Sequence, residues 1–257
     1  MEITKVNIRG VDIANVTMDE ADAFIRERMD ADEATAVYTP NSEIVQLCIE
    51  QPEFAALINK AELIVPDGIG VVKAAKILGT PIKEKVAGFD LGIRVMAMAQ
   101  EKGYPIFLFG GADETRCESG VSIADQCVKV MEEKLPGIKF AGTRHGYFKK
   151  DGEENDETIR LINESGAKIL FVCLGCPAQE KWIDANRDRL PDVKLFMGLG
   201  GSMDGYTGNV KRAPKVFIDL GLEWFYRLLC QPQRIGRMMN LPKFYFGTWV
   251  YKLKKKK

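Results

Sequence analysis

One histidine, His145, is all that the 257 residues contain, and no second Cys-x-x-Cys accompanies the single pair formed by Cys173 and Cys176. A structural zinc site takes four nitrogen or sulfur ligands, so this pair is two partners short. Cys173 also falls inside the apolar run 169–174, where a buried strand thiol is the expected state and redox chemistry ranks well below structure. No apolar run approaches the roughly 18 residues of a spanning helix. Residues 1–9 alternate polar and apolar types instead of following the order of a secretory signal. Six cysteines without secretory features read as reduced thiols. The expectation is a cytoplasmic protein whose membrane contact, where it has any, is peripheral.

Two nucleotide-binding signatures are absent as well. Neither G-x-G-x-x-G nor G-x-x-x-x-G-K-[ST] occurs, which disfavours a nicotinamide enzyme and a P-loop kinase. The only Asp-x-Asp triplet is Asp30-Ala31-Asp32. It lies at the end of a helical pattern, so a solvated acidic face explains it better than a metal site. With 46% hydrophobic residues, the chain can bury a substantial core as one large domain, or as one domain with an appendage.

Charge is balanced overall, at 36 basic and 36 acidic residues, yet unevenly placed. Residues 209–257 hold twelve Lys and Arg against Asp219 and Glu223, about +10, which leaves 24 against 34, about −10, in residues 1–208. Nine of the 23 aromatic residues share this basic segment, among them Trp224, Phe225, Phe246 and Trp249. Interleaved rings and cations suit the boundary between water and anionic lipid, where each basic residue can contribute roughly 1 kcal/mol. A solvated tail packing a few rings on the core is the plainer alternative.

Apolar runs at 36–38, 63–65, 106–109, 169–174 and 195–197 alternate with helical patterns. That order predicts an α/β fold, a Rossmann-like and mostly parallel sheet with helices on both faces. Residues 6–16 read as a short β-ribbon turning near Gly10. Thr17 and Glu20 form a capping box that opens a helix running to Met29. After Asn209 the pattern turns wholly helical and is punctuated by Pro214, Pro232 and Pro242. Two regions are therefore expected, a catalytic-type core over 1–208 and a C-terminal helical appendage over 209–257.

In open parallel sheets the ligand lies beyond the carboxyl ends of the strands, which directs attention to the loops there. Thr39-Pro40-Asn41-Ser42 follows the first strand; Asn41 or Ser42 is placed to cap the next helix, whereas the Thr39 hydroxyl is expected to point into the crevice. Asp67, in Pro66-Asp67-Gly68, is equally well placed as a helix N-cap or as a general base that accepts a proton from an attacking hydroxyl. Gly110-Gly111-Ala112-Asp113 can offer backbone N–H groups to a phosphate or a nucleoside edge, or be a plain tight turn. Gln179 can bond a sugar or phosphate, while Glu180 and Trp182 are expected to pack the following helix. Glycines 198, 200 and 201, ahead of Asp204, imply close backbone approach. Together these loops describe a pocket for a phosphorylated, hydroxyl-rich ligand.

Seven ordered blocks carry a resemblance over essentially the whole chain: YTPNSEIV (38–45), AELIVPDGIGVV (61–72), VAGFDL (86–91), FLFGGADE (107–114), LGCPAQEKW (174–182), GLGGSMDGYTGNVKRAP (198–214) and GLEWFYRLLCQPQRIGR (221–237). In them the chain resembles the WecG/TagA/CpsF glycosyltransferases, glycosyltransferase family 26. The resemblance implies transfer of N-acetylmannosamine from a UDP-sugar donor to a polyprenyl-diphosphate-linked N-acetylglucosamine acceptor, with inversion and without metal or other cofactor. The most similar branch builds the linkage disaccharide of wall teichoic acid; another transfers the corresponding uronic acid sugar. By resemblance Asp67 is the general base, Thr39, Asn41 and Gln179 are ligand contacts, and Asp204 and Gly110-Gly111 lie on the nucleotide side. Arg227, Arg234 and Arg237 are implied to meet the diphosphates. Lys85 stands where the family commonly has Arg, which keeps the charge but loses the bidentate fork. Gln231 replaces an acidic residue that often precedes Pro232 in relatives.

Arginine, lysine and helix N-termini can neutralise a UDP leaving group without a metal. The partners expected are thus a UDP-sugar, a polyprenyl-diphosphate acceptor and an anionic membrane surface on the inner face of the cell membrane. Apolar faces in the tail also suit self-association, so a homo-oligomer is among the expected forms. A non-catalytic nucleotide-sugar sensor or scaffold is the rival from another class and would bind nucleotide without forming product. Nucleic-acid binding ranks lower, since the core is acidic and no nucleic-acid module is present.

Overall fold

Short strands of continuous apolar residues, such as IFLFG, ILFVC and LFMG, are what a sheet covered on both faces requires. The computed structural model describes residues 1–220, 222–230, 236 and 240–255, the side chains at 219, 227 and 255 excepted. A two-stranded antiparallel ribbon, β1 (Lys5–Ile8) and β2 (Val11–Ala14), opens the chain and turns through Arg9 and Gly10, both at positive φ. Helix α1 (Met18–Asp30) begins with the expected capping box: the Thr17 hydroxyl accepts from the Glu20 N–H, and the Glu20 carboxylate accepts from the Thr17 N–H. Then follow β3 (Thr35–Tyr38), α2 (Ser42–Glu50), α3 (Pro52–Ile58), β4 (Leu63–Ile64), α4 (Ile69–Leu78), α5 (Gly88–Lys102) and β5 (Ile106–Gly110). The second half runs through α6 (Ile123–Lys134), β6 (Phe140–Arg144), α7 (Gly152–Ser165), β7 (Ile169–Cys173), α8 (Ala178–Asn186), β8 (Leu195–Gly198) and α9 (Ser202–Tyr206). Among the described residues three further helices follow, α10 (Lys215–Asp219), α11 (Glu223–Cys230) and α12 (Asn240–Lys255), and residue 236 is also helical.

Six strands form one sheet in the order β4-β3-β8-β7-β5-β6, every neighbouring pair parallel. Side chains alternate between its faces as the two-residue period demands. Leu170 and Val172 of β7 join the core shared with α2, α3, α4, α7 and α8, whereas Ile169 and Phe171 join that of α1, α5, α6 and α9. Five of the six strands coincide with the expected apolar runs. The sixth, β6, has no apolar run to mark it: its sequence FAGTR is only half-buried along its length, whereas β4 at the opposite edge is buried.

After Asn209 the regular elements among the described residues are all helices, joined by non-helical stretches such as 210–214. Pro242 does not break a helix; it lies in the first turn of α12, where the missing N–H costs nothing. Helix α12 packs on α2 and α4, with Phe244 and Thr248 fully buried and Lys243 paired with Glu50 at 2.7 Å. Among the described residues, no helix is long and apolar enough to cross a membrane. All six cysteines are free, and burial pushes the Cys173 and Cys176 thiols well above the ordinary thiol pKa, the mark of inert rather than reactive sulfur.

Candidate active site

Beyond the carboxyl ends of β3, β4, β7 and β8 the loops enclose a cleft of about 540 Å³. Thr39, Asn41, Asp67, Gln179 and Asp204 all line it, so the chain brings together five residues separated by up to 165 positions. A second cavity of about 460 Å³ opens at the ends of β5 and β7, where Gly111, Tyr147 and Lys150 contribute, and Asp204 lines both.

Each residue owes its place to local structure. The turn from β4 into α4 positions Asp67: Gly68, at φ 88°, takes the N-cap position, with no side-chain cap. The helix therefore does not use Asp67 as its N-cap. The starts of α2 and α4 approach closely, since a Cβ on Gly70 would lie 1.9 Å from the Ser42 hydroxyl. Asn41 does cap α2, its Oδ1 accepting from the N–H groups of Glu43 (2.9 Å) and Ile44 (3.1 Å). That fixes the orientation of the amide, with Oδ1 on the helix and Nδ2 as its donor. Gln179 is 3% exposed; its Oε1 accepts from the Gly200 N–H at 2.8 Å and its Nε2 donates to Glu180 at 2.8 Å.

Other sequence expectations are revised by the packing. The Thr39 hydroxyl donates to the Gly198 carbonyl at 3.3 Å, because β3 and β8 are neighbours, and so ties two strand ends instead of pointing into open space. Gly110 lines neither cavity; at φ 127° its backbone lies against β7, where a Cβ would come 2.3 Å from the Cys173 carbonyl oxygen. The Gly111 N–H, expected to be open to a phosphate, donates to that same carbonyl at 3.2 Å. Asp113 caps the short turn 114–116, and its bonds to Thr115 and Arg116 hold its carboxyl below the usual range. Lys85 is not part of the cleft wall; its Nζ pairs with Glu223 of α11 at 3.0 Å, and Glu223 does line the cleft. Arg234 and Arg237 lie outside the described residues, as does the Arg227 side chain. Glu180, expected to pack its helix, is buried but is also bonded to Gln179.

Two cations in the wall, Lys211 and Arg212, were not singled out from the sequence. Arg212 donates to Asp90 at 2.6 Å, a bond that raises its pKa further, and its guanidinium stacks 4.9 Å from the Phe89 ring centre. The signal available was an adjacent basic pair between the glycine-rich block and Pro214. A half-buried carboxylate, fixed amide donors and a braced guanidinium around one cleft suit proton removal from a hydroxyl beside a bound anion.

Residues 6–257 match the model of the glycosyl transferase WecG/TagA/CpsF family. Over 216 residues the chain is 37% identical to a Bacillus spizizenii (strain W23) protein, covering 84% of this chain and 79% of that one. A Staphylococcus aureus (strain MRSA252) relative is 33% identical over 256 residues, with coverage of 98% and 95%. One from Bacillus subtilis (strain 168) is 34% identical over 208 residues, with coverage of 81% and 76%. All three bear the name N-acetylglucosaminyldiphosphoundecaprenol N-acetyl-beta-D-mannosaminyltransferase.

At the start of α5 a Cβ on Gly88 would meet three Thr39 side-chain atoms at 2.9–3.0 Å. Gly88→Ala is expected to destabilise the protein by about 1–3 kcal/mol, the usual range for overpacking. Denaturant unfolding measures this, and an unchanged midpoint would mean that α5 can withdraw from Thr39 at no cost.

Proposed function

The chain belongs to the WecG/TagA/CpsF glycosyltransferase family, and from that membership we propose that it transfers N-acetylmannosamine from UDP-N-acetylmannosamine to undecaprenyl-diphosphate-linked N-acetylglucosamine. The support that carries this reading is the shared name of relatives aligned along most of their length. The cleft supplies chemistry that agrees with it.

In the proposed reaction Asp67 removes the proton as an acceptor hydroxyl attacks the anomeric carbon. The new C–O bond forms on the face opposite the breaking bond to phosphate, so configuration inverts, and UDP departs with the electron pair. Lys211 and Arg212, joined by Arg227, Arg234 and Arg237 of the tail, meet the charge growing on the diphosphate, while Lys85 holds Glu223 in the cleft wall. Asn41 Nδ2 and the remaining Gln179 amide hydrogen orient the sugar, with Thr39 holding the strand ends together. Asp204 joins the cleft to the second cavity, and Gly111 borders the nucleotide side.

Docking at the inner face of the membrane completes the proposal. Phe246, Trp249 and Leu253, at helical spacing on α12, are 74%, 52% and 63% exposed, whereas Phe244 and Thr248 on the opposite side are buried. Lys252 lies 5.7 Å from the Trp249 ring centre. Rings and lysines on one outward face suit an anionic lipid surface.

Three outcomes test this reading. Asp67→Asn should lose at least ~100-fold in turnover of UDP-N-acetylmannosamine with a prenyl-diphosphate acceptor, the scale of a lost general base; near-parental turnover would remove Asp67 from that role. Since side-chain cations are assigned the leaving-group charge, activity should persist in EDTA, and its abolition with recovery on adding a divalent ion would overturn the assignment. Replacing Phe246, Trp249 and Leu253 together by Ser should weaken sedimentation with phosphatidylglycerol-containing vesicles while leaving the fold intact. Unchanged co-sedimentation would place membrane contact elsewhere.

A further inference from the structure

We infer that Glu180 is a positioning residue for the active-site cleft, acting through Gln179 to hold the glycine-rich segment after β8. The inference rests on the transferase reading for its kinetic consequence and on hydrogen-bond geometry for its structural one. Glu180 is 1% exposed and Gln179 3% exposed, adjacent polar side chains in the first turn of α8. An ionisable side chain this deeply buried is costly, by several kcal/mol when charged and still unfavourably when neutral. An apolar residue of similar size would serve packing better.

The direction of each bond follows from chemistry. A backbone N–H can only donate, so the Gln179 oxygen must face Gly200, at 2.8 Å. Nε2 is thereby turned to the other side, where Glu180 Oε1 accepts from it at 2.8 Å. Without that acceptor, the orientation of the amide has a single anchor. The glycine segment lies directly on this amide: a Cβ on Gly198 would fall 2.9 Å from Nε2. Leu199 is fixed in turn by its N–H bond to Val172 at 3.0 Å, and Ser202 Oγ donates to the Leu199 carbonyl at 2.7 Å. Glu180 thus stands at the base of a chain that runs through Gln179 and Gly200 to the turn presenting Asp204. Desolvation raises the Glu180 pKa, which favours an uncharged acceptor beneath a cleft meant for an anionic donor.

Glu180→Leu and Glu180→Gln separate this role from packing. Leu fills the site but accepts no hydrogen bond, whereas the Gln amide oxygen can accept from the same Nε2. In the full-length enzyme, Glu180→Leu should keep or raise Tm yet raise the KM for UDP-N-acetylmannosamine by at least ~10-fold, as expected when a binding wall shifts by a fraction of an ångström. Glu180→Gln should stay within about threefold of the parent. Faster hydrogen exchange at the Gly200 amide in Glu180→Leu, unchanged in Glu180→Gln, reports the same loss with no substrate present. It therefore tests the inference even where the parent enzyme fails to turn over this donor, a result that would count against the transferase reading alone. Should Glu180→Leu not fold, Glu180→Met makes the same comparison. Parental KM with parental exchange at Gly200 in the apolar variant, or equal impairment in Glu180→Gln, would overturn the role of Glu180.

Discussion

The pairing of β8 between β3 and β7 is the constraint on which the cleft depends. This strand is the last of the sheet in sequence yet lies third in spatial order, with three residues in register against Thr35–Val37 on one side and four against Ile169–Val172 on the other. Nothing local brings Thr39 within reach of Gly198, or Gln179 within reach of Gly200; both contacts exist because β8 closes the gap between the two halves of the sheet. Burial on both faces lets so short a strand hold its place, since Leu195, Phe196 and Met197 are each essentially inaccessible. Each such side chain contributes roughly 1.5–3 kcal/mol, well above the net worth of its ladder bonds at about 1 kcal/mol each.

A similar comparison explains how the basic segment is seated. Its net charge of about +10 faces a core of about −10, and Lys243–Glu50 and Arg212–Asp90 pair in the expected sense. Such partly or largely exposed pairs contribute at most about 1 kcal/mol. Complete burial of Phe244 alone outweighs one of them. In the proposed docking, charge asymmetry sets how the segment would meet an anionic surface, whereas apolar burial decides where its last helix rests. Lys85 and Glu223 reverse the pattern, a core cation meeting a tail acid at the cleft.

Much of this was legible in the residues themselves. Buried strands announce themselves as apolar runs because both faces are covered, and Thr17 with Glu20 marks a helix start by chemistry that acts within a few residues. Strand β6 has half-buried side chains, so its sequence carries no comparable signature, whereas β4 at the opposite edge is buried and does. The loops could be ranked but not oriented. Whether the Thr39 hydroxyl meets solvent or Gly198, and whether the Gly111 N–H is open or bonded to Cys173, depends on strand order, which no local pattern encodes. Lys211 and Arg212 are hard to read for the opposite reason: within a strongly basic segment, two cations are distinguished only by the wall they join.

Helix α12 links these levels. It begins at the cleft, where Asn240 forms part of the wall, and packs along α2 and α4. Those two helices start directly after Asn41 and, past the Gly68 cap, just after Asp67, the residues assigned to sugar and proton in the proposed reaction. Contact reaches the first turn of α4 itself, since the Tyr245 hydroxyl lies 3.5 Å from a Cβ built on Gly70. One side of α12 is therefore bound to the elements that set the geometry of Asp67, while the other presents Phe246, Trp249 and Leu253 outward. A surface that captured the outer side would set the angle of the cleft to that surface, because the inner side is seated on α2 and α4 through the buried Phe244 and Thr248. For an acceptor anchored in a bilayer by its prenyl chain, that angle decides whether the terminal hydroxyl can reach Asp67. In the proposed reaction, then, the seat of Phe244 contributes to catalysis by orientation as well as to stability by burial.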